Sequence, residues 1–252
     1  MAVRIGYVGH GTVLIDHDGV RLLTDPLLRR RVAHLRRAAP PAPADFLRGI
    51  DAVLVSHAHY DHLDLPSLER LGKSLPVVLP RGLGGLLRKR RFEHVTEVDV
   101  GDDVRIGALT VRATPADHAG SRGPFGARAT AIGFAVLGSA HVYFAGDTGL
   151  FPEMEGLVES LDLALLPLWG WGPSLGPGHL DPPGAAQPAR LLAPRAVIPI
   201  HWGTYAPLTH GLWRSPAFLR SPPTLFAAEL ATAAPDVSLQ VLQPGESVEL
   251  SI

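Results

Sequence analysis

The chain has 252 residues, a formal net charge of −1, 46% hydrophobic residues and 19% charged ones. That balance belongs to a well-cored globular protein and excludes a disordered chain; no global positive field recruits nucleic acid. There is no cysteine, so disulfides and thiolate metal sites are excluded, and any metal must be held by histidine and carboxylate.

Residues 3–8, 12–16 and 20–24 read as three short strands, separated by the turns Gly9-His10-Gly11 and Asp16-His17-Asp18-Gly19. The N-terminal segment is already strand-like and carries no secretory leader pattern, and no apolar run reaches the ~18 residues needed to span a bilayer. The expectation is a cytoplasmic protein without a membrane span. Residues 26–50 hold Arg29-Arg30-Arg31, Arg36-Arg37 and Pro40-Pro41-Ala42-Pro43 and read as a long irregular loop. Such a loop is either a functional lid or a solvated excursion.

Residues 51–55 form a nearly all-apolar strand, as expected of a buried one. Asp64-Leu65-Pro66 then reads as a helix start, with Asp64 as N-cap and proline in the first turn. A strand at 76–80, a helix at 82–89 and a strand at 94–98 follow. A β-rich stretch covers 103–106, 109–114, 130–136 and 141–144. Helices are expected at 152–160, 182–192 and 222–233, with strands at 162–166 and 195–200. Residues 237–242 and 246–250 read as a terminal hairpin. Meanders that give way to strand–helix alternation, twice over, fit an α+β four-layer αββα sandwich. No low-complexity linker divides residues 1–252, which read as one domain.

The segment Ser56-His57-Ala58-His59-Tyr60-Asp61-His62 follows a buried strand directly. In an extended turn, His57 and His59 point to the same side, and Asp61 with His62 can serve a second ion. Imidazole suits zinc, and carboxylate suits a second or bridging position. A lone His-x-His is usually a polar loop; four potential ligands at the mouth of a strand make a metal site the stronger reading. Further ligands stand at three other strand ends: His118 in Pro115-Ala116-Asp117-His118, Asp147 in Gly146-Asp147-Thr148-Gly149, and His201 after Val197-Ile198-Pro199-Ile200. Taken singly, Gly-Asp-Thr-Gly is more often a turn, and each histidine a hydrogen-bonded polar residue.

These motifs resemble the metallo-β-lactamase superfamily over about residues 3–205. Within it, they are most similar to the branch containing N-acyl-phosphatidylethanolamine-hydrolysing phospholipase D and its bacterial relatives. The resemblance rests on Val8-Gly9-His10-Gly11-Thr12, Leu22-Leu23-Thr24-Asp25-Pro26, the His-x-His-x-Asp-His string, Thr114 to His118, Tyr143 to Gly149, and Ile200-His201-Trp202-Gly203-Thr204-Tyr205. It implies the αββα sandwich, with His57, His59 and His118 on one zinc, Asp61, His62 and His201 on a second, and Asp147 bridging. Two zinc ions per chain are therefore expected, with manganese or iron as alternatives. His59 stands where flavodiiron oxygen reductases usually carry glutamate, which favours zinc and hydrolysis. The branch's phospholipase has a longer N-terminal extension, and the tRNA-processing nucleases carry an inserted arm; neither is seen here.

The implied reaction is attack by a water shared between the ions, its pKa lowered to about 7, on an ester, lactone or phosphodiester. A nuclease and a non-catalytic metal-binding module are the alternatives. Asp61 and Asp147 orient the nucleophile. His179 is either a substrate-binding or proton-donating group, or simply the residue ahead of a helix capped by Asp181. Asp25 is either the carboxylate behind a metal-binding histidine or a turn aspartate. Arg122 either takes an anionic substrate group or is solvated. Trp169, Trp171 and Trp202, with the loop 169–178, either line the pocket or pack. His10 is placed near the site as a loop residue; His17, His34, His94, His141 and His210 are read as surface or structural. The expected partner is a small molecule, anionic if Arg122 receives it; oligomeric state is open.

Overall fold

The computed structural model describes residues 2–122, 126–168, 176–208 and 217–251. Strands β1 (Ala2–Gly9), β2 (Thr12–His17) and β3 (Val20–Thr24) form the expected antiparallel meander. Their alternation sorts the side chains by face: Val3, Ile5, Tyr7, Val13 and Ile15 enter the main core, while Val8, Leu14 and Leu23 pack on the other side.

The arginine-rich stretch is not irregular throughout. It contains a hairpin of β4 (Arg31–Val32) and β5 (Leu35–Arg37), then a 3-10 turn at Ala44–Leu47. The hairpin was hidden because each strand is too short to show alternation, and its edge is completed from far along the chain, by β15 (Tyr205–Pro207). Next come β6 (Ala52–Leu54), α1 (Leu65–Leu71), β7 (Val77–Pro80), α2 (Gly84–Arg88) and β8 (Val95–Val98). Helix α1 starts as its sequence suggests, with Asp64 accepting from the Ser67 amide at 3.1 Å.

Strands β9 (Asp103–Ile106), β10 (Leu109–Pro115), β11 (Ile132–Leu137) and β12 (His141–Phe144) build the antiparallel part of the second sheet. Parallel strands β13 (Leu163–Pro167) and β14 (Ala196–Ile200) extend it, joined through α3 (Ala186–Leu192). The helix expected at 152–160 is only a 3-10 turn at Pro152–Met154, since Gly156 and Ser160 take positive φ of 74° and 50°. The helix expected from 182 starts at Ala186; Pro182-Pro183-Gly184 instead form a turn on Asp181, whose carboxylate accepts from the Gly184 amide at 2.7 Å.

After α4 (Ala217–Arg220) and α5 (Pro222–Ala233) come β16 (Ser238–Leu239) and β17 (Ser247–Ser251). These do not make the expected hairpin. Strand β16 runs parallel beside β14, while β17 pairs antiparallel with β1 in the other sheet. The order is β17-β1-β2-β3-β6-β7-β8 in the first sheet and β16-β14-β13-β12-β11-β10-β9 in the second.

The main core draws on both sheets, from Ile5 and Ile15 to Phe134, Phe144 and Leu165. Helices α1 and α2 seal the outer face of the first sheet through Leu65, Leu68, Leu83 and Leu87. Helices α3 and α5 cover the second through Ala189, Leu192, Phe226 and Leu230. This is the α+β four-layer αββα sandwich expected from the order of elements.

Candidate metal centre

Five chain segments at strand ends deliver the polar residues. The β6 end leads into Ser56–His62, the β10 end into His118, the β12 end into Asp147, and the β14 end into His201. The β1–β2 turn supplies His10, just after a register shift between Tyr7 and Gly9 that releases the chain from the ladder.

Two clusters result. In the first, His57 Nε2 lies 3.0 Å from His59 Nδ1, which lies 3.2 Å from His118 Nε2. In the second, His62 Nε2 is 3.2 Å from His201 Nε2 and 3.9 Å from an Asp61 carboxylate oxygen. Asp147 adjoins both: one oxygen is 3.3 Å from His62 Nε2 and the other 3.1 Å from His201 Nε2, and a carboxylate oxygen also lies within 4.8 Å of a ring nitrogen of His118. Nitrogens about 2.0–2.1 Å from a shared tetrahedral ion sit roughly 3.3 Å apart, so the spacing suits ligands converging on one ion. Asp147 Oδ1 is buried, and its contact with His201 lacks hydrogen-bond geometry. The donor set of imidazoles and carboxylates therefore fits divalent metal, and it includes a buried carboxylate oxygen without a hydrogen bond.

Behind the clusters, several groups fix ring orientation. The buried Asp25 carboxylate lies 2.7 Å from His62 Nδ1 and accepts from the Ser56 amide and hydroxyl at 2.7 and 2.6 Å. The Ser56 hydroxyl also lies 2.9 Å from His57 Nδ1, and the Gly178 carbonyl accepts from His118 Nδ1 at 2.8 Å. Each of these contacts turns the other ring nitrogen toward the centre. At Gly11 a Cβ would crowd the His62 ring at 3.2 Å. Gly146, at φ +63°, would bring a Cβ to 2.8 Å from Ser56 Cβ.

The electrostatics match that arrangement. Burial, then the neighbouring His62, push His57 well below the usual imidazole range; burial likewise lowers His59, His118 and His201. Neutral imidazole is the form that ligates metal. Burial also disfavours charge on His62, but Asp147, Asp25 and Asp61 outweigh it and raise its pKa. Burial disfavours charge on Asp61 and Asp147, but the surrounding histidines hold both well below the carboxylate range. Among the described residues, the ion pairs of the buried Asp25 and Asp147 and of the partly exposed Asp61 are all with histidine, and none is with lysine or arginine.

Backbone strain concentrates here. His10, Asp25 and His201 have φ of 58°, 34° and 64°, a region costly for residues with a side chain. The His10 carbonyl accepts from the His201 amide at 2.9 Å, and their rings lie 3.8 Å apart. Tyr7 secures the following loop: its hydroxyl donates to the Trp202 carbonyl at 2.6 Å and accepts from the Trp202 amide at 3.0 Å.

The centre opens into a cleft of about 490 Å³ lined by Val32 to Leu35, His59 to Asp61, Ser121, Arg122, Asp147, His179 and His201. All seven candidate ligands lie together, and His179 stands at the cleft wall with Nε2 3.8 Å from Asp147. Arg122 is neither solvated nor free to grip an anion with both arms. It donates to the carbonyls of Ala58 and Leu63, lies 4.3 Å over the Tyr60 ring, and so braces the histidine loop. Trp202 packs in the core, its indole donating to the Pro199 carbonyl at 2.9 Å, and does not border the cleft. Trp169, Trp171, His210 and most of the loop 169–178 lie outside the described residues.

Two residues were undervalued in the sequence. His10 joins the second cluster, its Nε2 2.9 Å from Asp61. It stands at a strand end like the other candidates, and that was the available signal. His34 lines the cleft through a hairpin that left no periodic trace. His17 is structural as read, buried between the sheets with Nε2 accepting from the Ala140 amide at 3.1 Å. Among the described residues, no helix is long and apolar enough to cross a membrane.

A family model described as a beta-lactamase superfamily domain matches residues 20–202. A metal-dependent hydrolase of Methanopyrus kandleri is 31% identical over 255 residues, covering 98% of this chain and 100% of the relative. An N-acyl-phosphatidylethanolamine-hydrolyzing phospholipase D of Caenorhabditis elegans is 32% identical over 225 residues, covering 79% of this chain and 63% of the relative. A solved metallo hydrolase from Ignicoccus hospitalis superposes with a TM-score of 0.74 at 24% identity, covering 100% of both chains, and bears on the fold alone.

Proposed function

The chain belongs to the beta-lactamase superfamily and is a metal-dependent hydrolase of it, and from that premise we propose a dinuclear zinc centre that hydrolyses an ester, lactone or phosphodiester bond. His57, His59 and His118 would hold one ion, Asp61, His62 and His201 the other, and Asp147 would bridge. The observation that carries this reading is the pair of donor clusters that Asp147 adjoins, with its buried oxygen lacking a hydrogen bond. Three imidazoles without sulfur suit zinc.

Zinc, when bound, supplies Lewis acidity and lowers the pKa of water to about 7. The chain's own part is orientation and proton handling. Asp25 holds the His62 ring, and His10 holds Asp61. Asp61 and Asp147 line the cleft as carboxylates and are placed to orient an attacking water. His179, about one-fifth exposed and 3.8 Å from Asp147, is placed to give a proton to the departing oxygen. The hairpin turn at Ala33-His34 walls the opposite side and limits what enters. Specificity for one substrate resides in such walls and not in the centre.

Elemental analysis of the purified protein should give about two zinc per chain. A panel of bis-p-nitrophenyl phosphate, aryl esters and lactones should then separate the three bond types. Protein that holds no metal after zinc reconstitution overturns the dinuclear reading; metal-loaded protein inert on the whole panel overturns the hydrolytic one.

A further inference from the structure

Behind the hairpin that walls the metal cleft lies a second concavity. It measures about 650 Å³ and is lined by Leu28, Arg29, Arg30, Arg31, Arg36 and Arg70. The arginines come from the segment after β3, from both strands of the β4–β5 hairpin, and from the end of α1. In a chain of net charge −1, five guanidinium groups around one cleft are a local concentration and not a global excess.

Their internal pairing is incomplete. Arg29 forks onto the buried Asp64 carboxylate, with Nε at 2.9 Å, which also caps α1. Arg30, Arg31, Arg36 and Arg70 have no ion pair among the described residues. Arg31 and Arg36 are direct cross-strand partners, so two like charges face each other in a two-stranded hairpin. That opposition destabilises the hairpin unless an anion lies between them. The opposite face of the same hairpin is well satisfied, with Val32 and Leu35 buried against Leu27 and Tyr205.

We propose that this arginine cleft is a binding site for a small soluble polyanion carrying two or more phosphate-type groups. Planar guanidinium forks match phosphate oxygens in pairs, and several converging forks select multiple charge over single charge. The surroundings argue against larger partners. Among the described residues, no aromatic side chain lines the cleft to stack a base. None of the exposed large apolar residues, Tyr60, Val100, Leu150, Leu208, Leu225 and Val241, lines it to anchor in lipid. Among the described residues, the site shares no lining residue with the metal cleft, and it stands whether or not the hydrolytic reading does.

The test is calorimetric titration of the metal-loaded protein with inositol hexasulfate, a polyanion whose sulfates do not strip zinc. One binding event is expected, weakening steeply between about 50 mM and about 200 mM salt. The double variant Arg31→Ala/Arg36→Ala should weaken it at least about tenfold and flatten the salt dependence, with zinc content unchanged. Arg70→Ala, on a different element, should weaken it separately, which guards against a hairpin that merely misfolds. Absence of binding at low salt overturns the site, as does binding that survives these variants but is lost with His118→Ala. Tighter binding of a single-stranded oligonucleotide or of phosphatidylglycerol vesicles through the same arginines overturns the small-anion assignment.

Discussion

The seven candidate ligands were legible as residues because each is a metal-binding type at the end of an apolar strand, where alternation stops and a polar side chain is displayed. Asp25 was legible only as one of two readings; it lies 2.7 Å from His62 Nδ1, the contact that the carboxylate-behind-histidine reading requires. Replacing it by asparagine keeps the volume but removes the charged acceptor. Asp25→Asn should therefore weaken zinc retention about 10–100-fold, measured by competition with a chelator. Zinc affinity equal to the parent would show that Asp25 only shapes the backbone. His179 separates in the same way. His179→Gln should lower kcat on a substrate with a poor leaving group and spare one with a good leaving group, while zinc content stays constant. Equal losses on both would point to binding and not proton donation. Arg122 could not have been placed from sequence, since its partners are backbone carbonyls some 60 positions earlier, Ala58 and Leu63.

At the scale of elements, long strands with clear alternation were readable, and short or interrupted ones were not. The β4–β5 hairpin has two and three residues per strand and gains its third strand from residues 205–207. No local period can report such pairing. The segment 152–160 failed as a helix for a conformational reason, the left-handed positions at Gly156 and Ser160. Helix α3 carries a related defect, since it ends at Ala193 with φ 44° and ψ 50°. Glycine accepts that conformation without the steric penalty of a Cβ, which is about 1–2 kcal/mol and is partly offset by glycine's greater unfolded-state entropy. Ala193→Gly should thus raise stability by about 0.5–1 kcal/mol and the Tm by about 1–3 °C. A fall in Tm on calorimetry would show that the left-handed cap is not a source of strain.

At the scale of the molecule, the layer order followed from the sequence, whereas the final pairing did not, because a strand's partner is a global property. Global coupling also sets the alkaline limit. Burial pushes the Tyr7 hydroxyl up to about 12 from 10, so the folded state keeps a proton that the unfolded chain releases. That contribution is intact below pH 10 and is lost as pH rises toward 12, by about 2–3 kcal/mol. Buried Tyr143 is shifted the same way and adds to the slope. Denaturant titrations should show parental stability falling across this window. Tyr7→Phe should begin lower, because the Trp202 amide and carbonyl lose their partner, and then decline less steeply. Parallel profiles for the two proteins would exclude Tyr7 as the group responsible.

The separation of β16 and β17 bears on how the chain reaches its native state. Ala2 stands opposite Ser251, so β1 has β2 as an early neighbour but waits for residues 247–251 to cover its outer edge. The same terminal segment completes the other sheet beside β14. A growing chain therefore holds two open sheet edges until residues 238–251 have emerged, a geometry that favours slow closure and invites association between nascent chains. The pairing of Ala2 with Ser251 offers a way to shorten that interval. Joining them with a short linker and opening the chain in an exposed turn should give a circular permutant in which β17 and β1 emerge together as a hairpin.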